Sequence, residues 1–273
     1  MSARRRLPAR QRFSGQSFNR MLPNLMTLLG LCIGLSSIRL AMDGKFGSAV
    51  IAIAVSAVID GLDGRLARLL KATSRFGAEF DSLSDFLCFG VAPGLVIYSW
   101  SLEPWGAIGF LPPLMYTSAM ALRLARFNAA LDSAPKAAFA YNFFTGVPAP
   151  AGAGLALFPL FLGLEADRLH LDWLREAVGY PLFTGAVLLG VGLLCVSTLP
   201  VWSFKNFKIP TTQLLPLLLG VVVFAAILFA DPFAAGALLA LAYVVMLPFS
   251  LRSYRRLAAE AENRRAAAET PEG

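Results

Sequence analysis

Four aspartates carry the chemistry that this chain is equipped to do. Asp60 and Asp63 are followed by Gly64, Ala67 and Arg68 at intervals that keep one helical side, and Gly77, Asp81 and Asp85 repeat the pattern shortly afterwards. Spacings of three and four line each set along one face of a helix. Two consecutive helices would present four carboxylates with small residues between them, and a tight connection would bring the two faces together. Carboxylate oxygens suit hard divalent ions such as Mg2+ or Mn2+, which retain waters and bridge phosphate oxygens. With glycines among them and Arg65, Arg68, Lys71 and Arg75 close by, the pattern points to a phosphate-bearing substrate. Two other readings compete. The acids could simply pair with those four basic residues at a wet helix end, or they could mark an ion or proton pathway, as intramembrane aspartates also do. Against the pathway stands the clustering of all four acids at one end.

The elements that must position these residues are apolar. The chain has 273 residues, of which 57% are hydrophobic and 15% charged, a composition outside the water-soluble range. Apolar runs long enough to cross a hydrocarbon core of about 30 Å recur along it. Spans are expected near 22–42, 46–70, 82–101, 105–127, 144–164, 181–204, 209–230 and 232–251. The fold class is therefore an all-α integral membrane bundle of about eight transmembrane helices. A basic N-terminal arm over 1–20 lies on the membrane surface, one transmembrane domain covers 21–256, and a polar tail over 257–273 forms a short helix that frays. Phe46 to Ile59 gives only a short apolar stretch before Asp60, and the third span has the same anomaly at its entry. Four ionised carboxylates at membrane depth would cost roughly 10–14 kcal/mol together if nothing cationic offset them.

Charge sets the orientation. Of the 24 Lys and Arg residues, all but Arg39, Lys45, Arg168 and Arg175 fall on the set of loops and flanks that holds both termini. That alternation predicts cytoplasmic N and C termini, with the aspartates on the cytoplasmic side. The net charge of +7 is accounted for by anionic headgroups and calls for no nucleic-acid partner. Cys32, Cys88 and Cys195 lack metal or disulfide spacing and read as small packed side chains. His170, the single histidine, falls in a polar loop from Glu165 to Tyr180 on the opposite side.

The run Asp60-x2-Asp63-Gly64-x2-Ala67-Arg68-x8-Gly77-x3-Asp81-x3-Asp85 resembles, at all eight fixed positions over 26 residues, the signature of the CDP-alcohol phosphotransferases. The resemblance implies that Asp60, Asp63 and Asp81 are metal ligands, and that Asp85 approaches a second divalent ion and acts as general base. It also implies that Gly64, Ala67 and Gly77 leave room for a cytidine nucleotide, while Arg68 and Ser74 contact the CDP-alcohol. Pro23-Asn24-Leu25-Met26-Thr27 is similar to the family's entry motif, which makes Asn24 and Thr27 nucleotide contacts. On residue type alone, those two read equally well as caps of a helix whose start is marked by proline.

The motif does not choose the acceptor alcohol. Phe89-Gly90-Val91-Ala92-Pro93, Arg123-Leu124-Ala125-Arg126-Phe127-Asn128 and Phe144-Thr145-Gly146-Val147-Pro148-Ala149-Pro150 resemble the membrane-embedded, serine-accepting branch of the family. That branch implies transfer of phosphatidyl from CDP-diacylglycerol to the hydroxyl of L-serine in the inner membrane, with release of CMP, by a homodimer. Arg123 and Arg126 present planar donor forks that suit the acceptor's carboxylate. The same forks suit the phosphate of glycerol 3-phosphate, so phosphatidylglycerophosphate synthesis stays open, and each arginine reads alternatively as a charge anchor.

Overall fold

Proline and glycine decide where the apolar runs of this chain bend, reverse or change helix type. The computed structural model describes residues 18–131, 142–203 and 211–269. The arm expected over 1–20 lies outside the described residues apart from its last three, and so do Lys136, Lys205, Lys208 and the final four residues of the tail.

Helices α1 (Phe18–Met42) and α2 (Phe46–Leu69) form an antiparallel hairpin that turns at Gly44, whose φ of +73° suits glycine. Small residues let them approach. A Cβ on Gly30 would come within 3.1 Å of Ile59, and one on Gly34 would meet Ser56 and Cys88. At the end of α2 the amide N–H of Ala72 donates to the Ala67 carbonyl at 2.9 Å and that of Lys71 to the Arg68 carbonyl at 3.2 Å. With Lys71 at φ +50°, this is a Schellman turn. It reverses the chain within a few residues, and the Ser74 hydroxyl then caps α3 (Arg75–Asp85) by accepting from the Gly77 N–H at 3.0 Å.

Beyond Asp85 the helix continues through a π-helical turn (Phe86–Val91), α4 (Ala92–Ile97) and a second π-helical turn (Tyr98–Leu102). Pro93 has no N–H to offer the Phe89 carbonyl, and the buried Tyr116 hydroxyl supplies the missing donor at 2.6 Å. The chain reverses after a short 3-10 turn (Glu103–Trp105), where Gly106 has φ +52°, and returns as α5 (Gly106–Leu131). Gly90 faces Met120 and Gly94 faces Thr117, so α5 runs antiparallel to the segment before it.

The second half begins with β1 (Phe143–Thr145), which pairs antiparallel with β2 (Pro200–Trp202) in a two-stranded ribbon. Between the strands lie α6 (Ala149–Ala156), α7 (Phe158–Arg168), α8 (Asp172–Gly179) and α9 (Pro181–Val196), with bends of 42° between α6 and α7 and 53° between α8 and α9. Helices α10 (Thr211–Ala230) and α11 (Pro232–Glu269) follow. Asp231 caps α11 through the N–H groups of Phe233 and Ala234, and it pairs with Arg168, which also binds Glu165. Burial pushes the Asp231 carboxyl up, but the Ala234 N–H, Glu165, Arg168 and the Phe233 N–H outweigh it and hold the group below the ordinary aspartate range.

Phe89, Val96, Ile97, Tyr116, Met120, Leu157, Leu160 and Leu188 make the buried core. Large apolar side chains also face outward, among them Leu193, Leu215 and Phe229, the last 97% exposed, as a lipid-facing surface requires. Met21–Met42, Phe46–Leu69, Arg75–Ala130 and Pro232–Ala261 are long and apolar enough to cross a membrane, and up to six spans result if each bent pair counts as one. The chain is thus a helical, multi-pass membrane protein with one small β-ribbon.

Several expectations need correcting. The span expected over 144–164 opens as a strand and then bends after Ala156, where Pro159 follows. The loop expected from Glu165 to Tyr180 is the end of α7, a turn at His170 with φ +54°, and α8. Leu257 begins no separate helix, because α11 runs unbroken to Glu269. Cys88 and Cys195 are buried as expected, whereas Cys32 is exposed on α1.

Candidate active site

Because α1 and α2 are antiparallel, the start of α1 lies beside the end of α2, and the Schellman turn folds α3 back against both. One carboxylate oxygen from each of Asp60, Asp63 and Asp81 lies within 4.8 Å of the others. Asp60 is also within hydrogen-bonding reach of Asp85. Asp63 is buried, and its Oδ2 accepts from the Thr27 hydroxyl at 2.6 Å. Thr27 therefore fixes the rotamer of a candidate ligand. The capping alternative for Asn24 and Thr27 fails on geometry, since α1 starts at Phe18 and both residues lie inside the helix.

A cleft of about 230 Å3 opens beside the cluster. Asn24, Thr27, Asp63, Gly64, Ala67, Arg68, Ser74, Gly77 and Asp81 line it, together with Thr73, Ala72 and Ala78, which the sequence did not single out. Asp60 and Asp85 are not among the residues that line it. A Cβ on Gly64 would meet no protein atom within 4 Å, so its small size keeps cleft volume open and no packing demand explains it. A Cβ on Gly77 would instead sit 3.0 Å from Asn24 Oδ1 and 3.1 Å from Ser74 Oγ. Gly77 allows α1 and α3 to close.

The donor set fits a divalent cation. Among the described residues no Lys or Arg forms an ion pair with any of the four aspartates, and Arg65 and Arg68 are exposed. The wet ion-pair reading is therefore not what the structure contains. Asp85 Oδ1 is buried without a hydrogen-bond partner. Like charges this close and this poorly solvated are relieved by a cation, and all-oxygen carboxylate donors match Mg2+ or Mn2+.

Arg123 and Arg126 take different tasks. Arg126 donates through Nη1 to the Val196 carbonyl and through Nη2 to the Ser197 and Thr145 carbonyls, tying the last turn of α9 to β1. Arg123 is buried and spends Nε on the Val147 carbonyl at 2.5 Å. Neither lines the cleft. The turn that carries Val147 depends on Gly146, at φ +77°, where a Cβ would lie 2.6 Å from the Cys195 carbonyl and 2.7 Å from that of Ser197. Gly146→Ala combines an unfavourable backbone conformation with contacts to two carbonyls, and is expected to lower stability by about 2 kcal/mol or more. A thermal-shift comparison in detergent checks this, and an unchanged midpoint would show that the turn can yield.

The fold and the site together define a membrane-embedded transferase of the CDP-alcohol phosphatidyltransferase family, to which this chain belongs: the family's sequence profile matches residues 20–192. Among relatives, the chain is 37% identical over 242 residues to the CDP-diacylglycerol--serine O-phosphatidyltransferase of Mycobacterium tuberculosis, covering 89% of this chain and 82% of that protein. The enzyme of the same name from Mycobacterium leprae is 36% identical over 244 residues, covering 89% and 78%. That from Helicobacter pylori is 35% identical over 215 residues, covering 79% and 84%.

Proposed function

We propose that this protein transfers the phosphatidyl group of CDP-diacylglycerol to the hydroxyl of L-serine, giving phosphatidylserine and CMP. The carrying observation is the convergence of Asp60, Asp63, Asp81 and Asp85 beside a cleft walled by Gly64, Ala67, Arg68 and Gly77, in a chain whose relatives bear that activity in their names. The clustering of all four acids at one end of α2 and α3 favours this reading over an ion pathway, which would need polar groups along the whole depth of the membrane.

In this reading Asp60, Asp63 and Asp81, with Asp85, hold two divalent ions, Mg2+ or Mn2+. Bound there, the ions would neutralise the charge that develops as CMP leaves. Asn24, Thr27, Gly64, Ala67, Arg68, Ser74 and Gly77 form the CDP-diacylglycerol site, with Arg68 set against the pyrophosphate. Asp85 takes the proton of the serine hydroxyl. The serine oxygen then forms its bond to the phosphorus that carries the diacylglycerol, and the bond from that phosphorus to CMP breaks. Direct displacement is favoured because the hydroxyls around the cluster serve the structure: Thr27 donates to the Asp63 carboxylate and the Pro23 carbonyl, Ser74 caps α3, and Ser82 binds the Ala78 carbonyl and Asn128.

The same reading holds the catalytic unit to residues 21–256, between a basic surface arm over 1–20 and a tail over 257–273. Reversal at Gly106 divides Arg75–Ala130 into two passes, and the two bent pairs and α10 complete eight. Both termini and the aspartates then face the cytoplasm at the inner membrane, and the enzyme works as a homodimer.

The test is CMP release by membranes containing the protein, supplied with CDP-diacylglycerol and Mg2+ or Mn2+, with serine, glycerol 3-phosphate, inositol and inositol phosphate offered in parallel. Serine-dependent release is expected. Release driven only by glycerol 3-phosphate would keep the chemistry and overturn the acceptor, and no release with any acceptor would overturn the enzymatic reading.

A further inference from the structure

Three polar groups, on α3, α5 and α11, have unfilled hydrogen-bonding capacity. Arg123 uses Nε on Val147, and among the described residues its two terminal nitrogens have no hydrogen-bond partner. Tyr243, on α11, has a buried hydroxyl with no partner. Asp85 Oδ1, on α3, is in the same condition. The Arg123 guanidinium lies within electrostatic reach of both Asp85 and Tyr243. By contrast, the Tyr116 hydroxyl, which also lies near Arg123, is bonded to the Phe89 carbonyl, and Arg126 is taken up by backbone carbonyls.

Burying polar groups without partners is costly, and an unpartnered hydroxyl and an unpartnered carboxylate oxygen, each within electrostatic reach of the same guanidinium, call for a small ligand with matching groups. A planar guanidinium edge and a phenolic O–H are donors suited to a carboxylate. An unpartnered carboxylate oxygen suits the proton of an alcohol. L-Serine carries both groups a few bonds apart. We propose that Tyr243, with Arg123, grips the carboxylate of the acceptor and thereby aims its hydroxyl at Asp85, making Tyr243 a specificity-determining residue of the acceptor pocket. The assignment rests on the serine reading above and adds to it a residue from the last long helix, outside the family profile's match to 20–192.

The experiment is a serine titration of CMP release by membranes holding the full chain, with CDP-diacylglycerol and Mg2+ saturating, for wild type, Tyr243→Phe and Arg123→Lys. Tyr243→Phe removes one hydroxyl and keeps the ring's packing. It is expected to raise KM for serine about tenfold or more, with a smaller change in kcat and none in KM for CDP-diacylglycerol. Arg123→Lys keeps the charge but loses the fork and is expected to show the same split. Preference for serine over serinamide, which lacks the carboxylate charge, is expected to narrow in both variants. Tyr98→Phe, on the second π-helical turn, serves as the control and is expected to match wild type. An unchanged KM for serine and unchanged discrimination in Tyr243→Phe would overturn this assignment while leaving the serine reading intact. A wild type that ignores serine and uses another acceptor would instead overturn the reading on which it rests.

Discussion

Asp85→Asn is expected to abolish CMP release, with a loss of at least about a hundredfold, the lower end of what a positioned general base contributes. CDP-diacylglycerol binding is expected to persist. The Asp85 Oδ1 atom is buried and lacks a partner, so it remains available to a substrate proton. Asparagine keeps the shape and removes the ability to accept that proton. A second consequence separates chemistry from folding. Asp85 and Asp60 are mutually close carboxylates, and removing one charge from the cluster relieves repulsion when no cation is bound. The variant should therefore melt at or above the wild-type temperature in metal-free detergent while being inactive. Normal turnover in Asp85→Asn would remove the general-base role.

Asp60→Asn is expected to fail differently. Asp60 is the shared neighbour in the cluster, placed against Asp63 and Asp81 and within reach of Asp85. Affinity of an all-oxygen site follows the number of charged ligands, so the divalent concentration for half-maximal activity should rise at least about tenfold, and CDP-diacylglycerol binding should weaken with it. A readout independent of turnover exists. Saturating Mg2+ at about a hundred times its Kd should stabilise the wild type by about 2.7 kcal/mol, and that gain should shrink or vanish in Asp60→Asn. An unchanged metal requirement together with an unchanged Mg2+-dependent melting shift would take Asp60 out of the ligand set.

Local patterns were legible where helix spacing alone determines which side chains share a face. The spans expected at 22–42 and 46–70 correspond closely to α1 and α2, and the spacing of Asp60, Asp63 and Asp81 anticipated a convergence found in the fold, with Asp85 within reach of Asp60. Less legible were features set by contacts distant in sequence. Three-residue strands at Phe143–Thr145 and Pro200–Trp202 are too short to carry a period-two signal, and they exist because each supplies the other's backbone partners. The π-helical turn after Asp85 was equally hidden, although Pro93 was a usable clue: a proline inside a helical run orphans a carbonyl, and a buried donor such as Tyr116 must then answer it. Tyr243 carried no signal in sequence, since one tyrosine in an apolar run reads as core.

What the sequence by itself determined was the membrane setting, the helical class and the identity of the four carboxylates, because hydrophobic length and residue spacing are properties of the chain alone. Tertiary structure decided how the basic residues divide their work. Arg123 and Arg126 share a helix and a residue type, and both read as acceptor contacts. Only the approach of α9 and β1 consumes the donors of Arg126 on backbone carbonyls, whereas Arg123 spends only Nε on a carbonyl and stands within electrostatic reach of Asp85 and Tyr243. A guanidinium's role depends on which acceptors reach it first, and those acceptors come from parts of the chain that lie next to it only in the folded molecule.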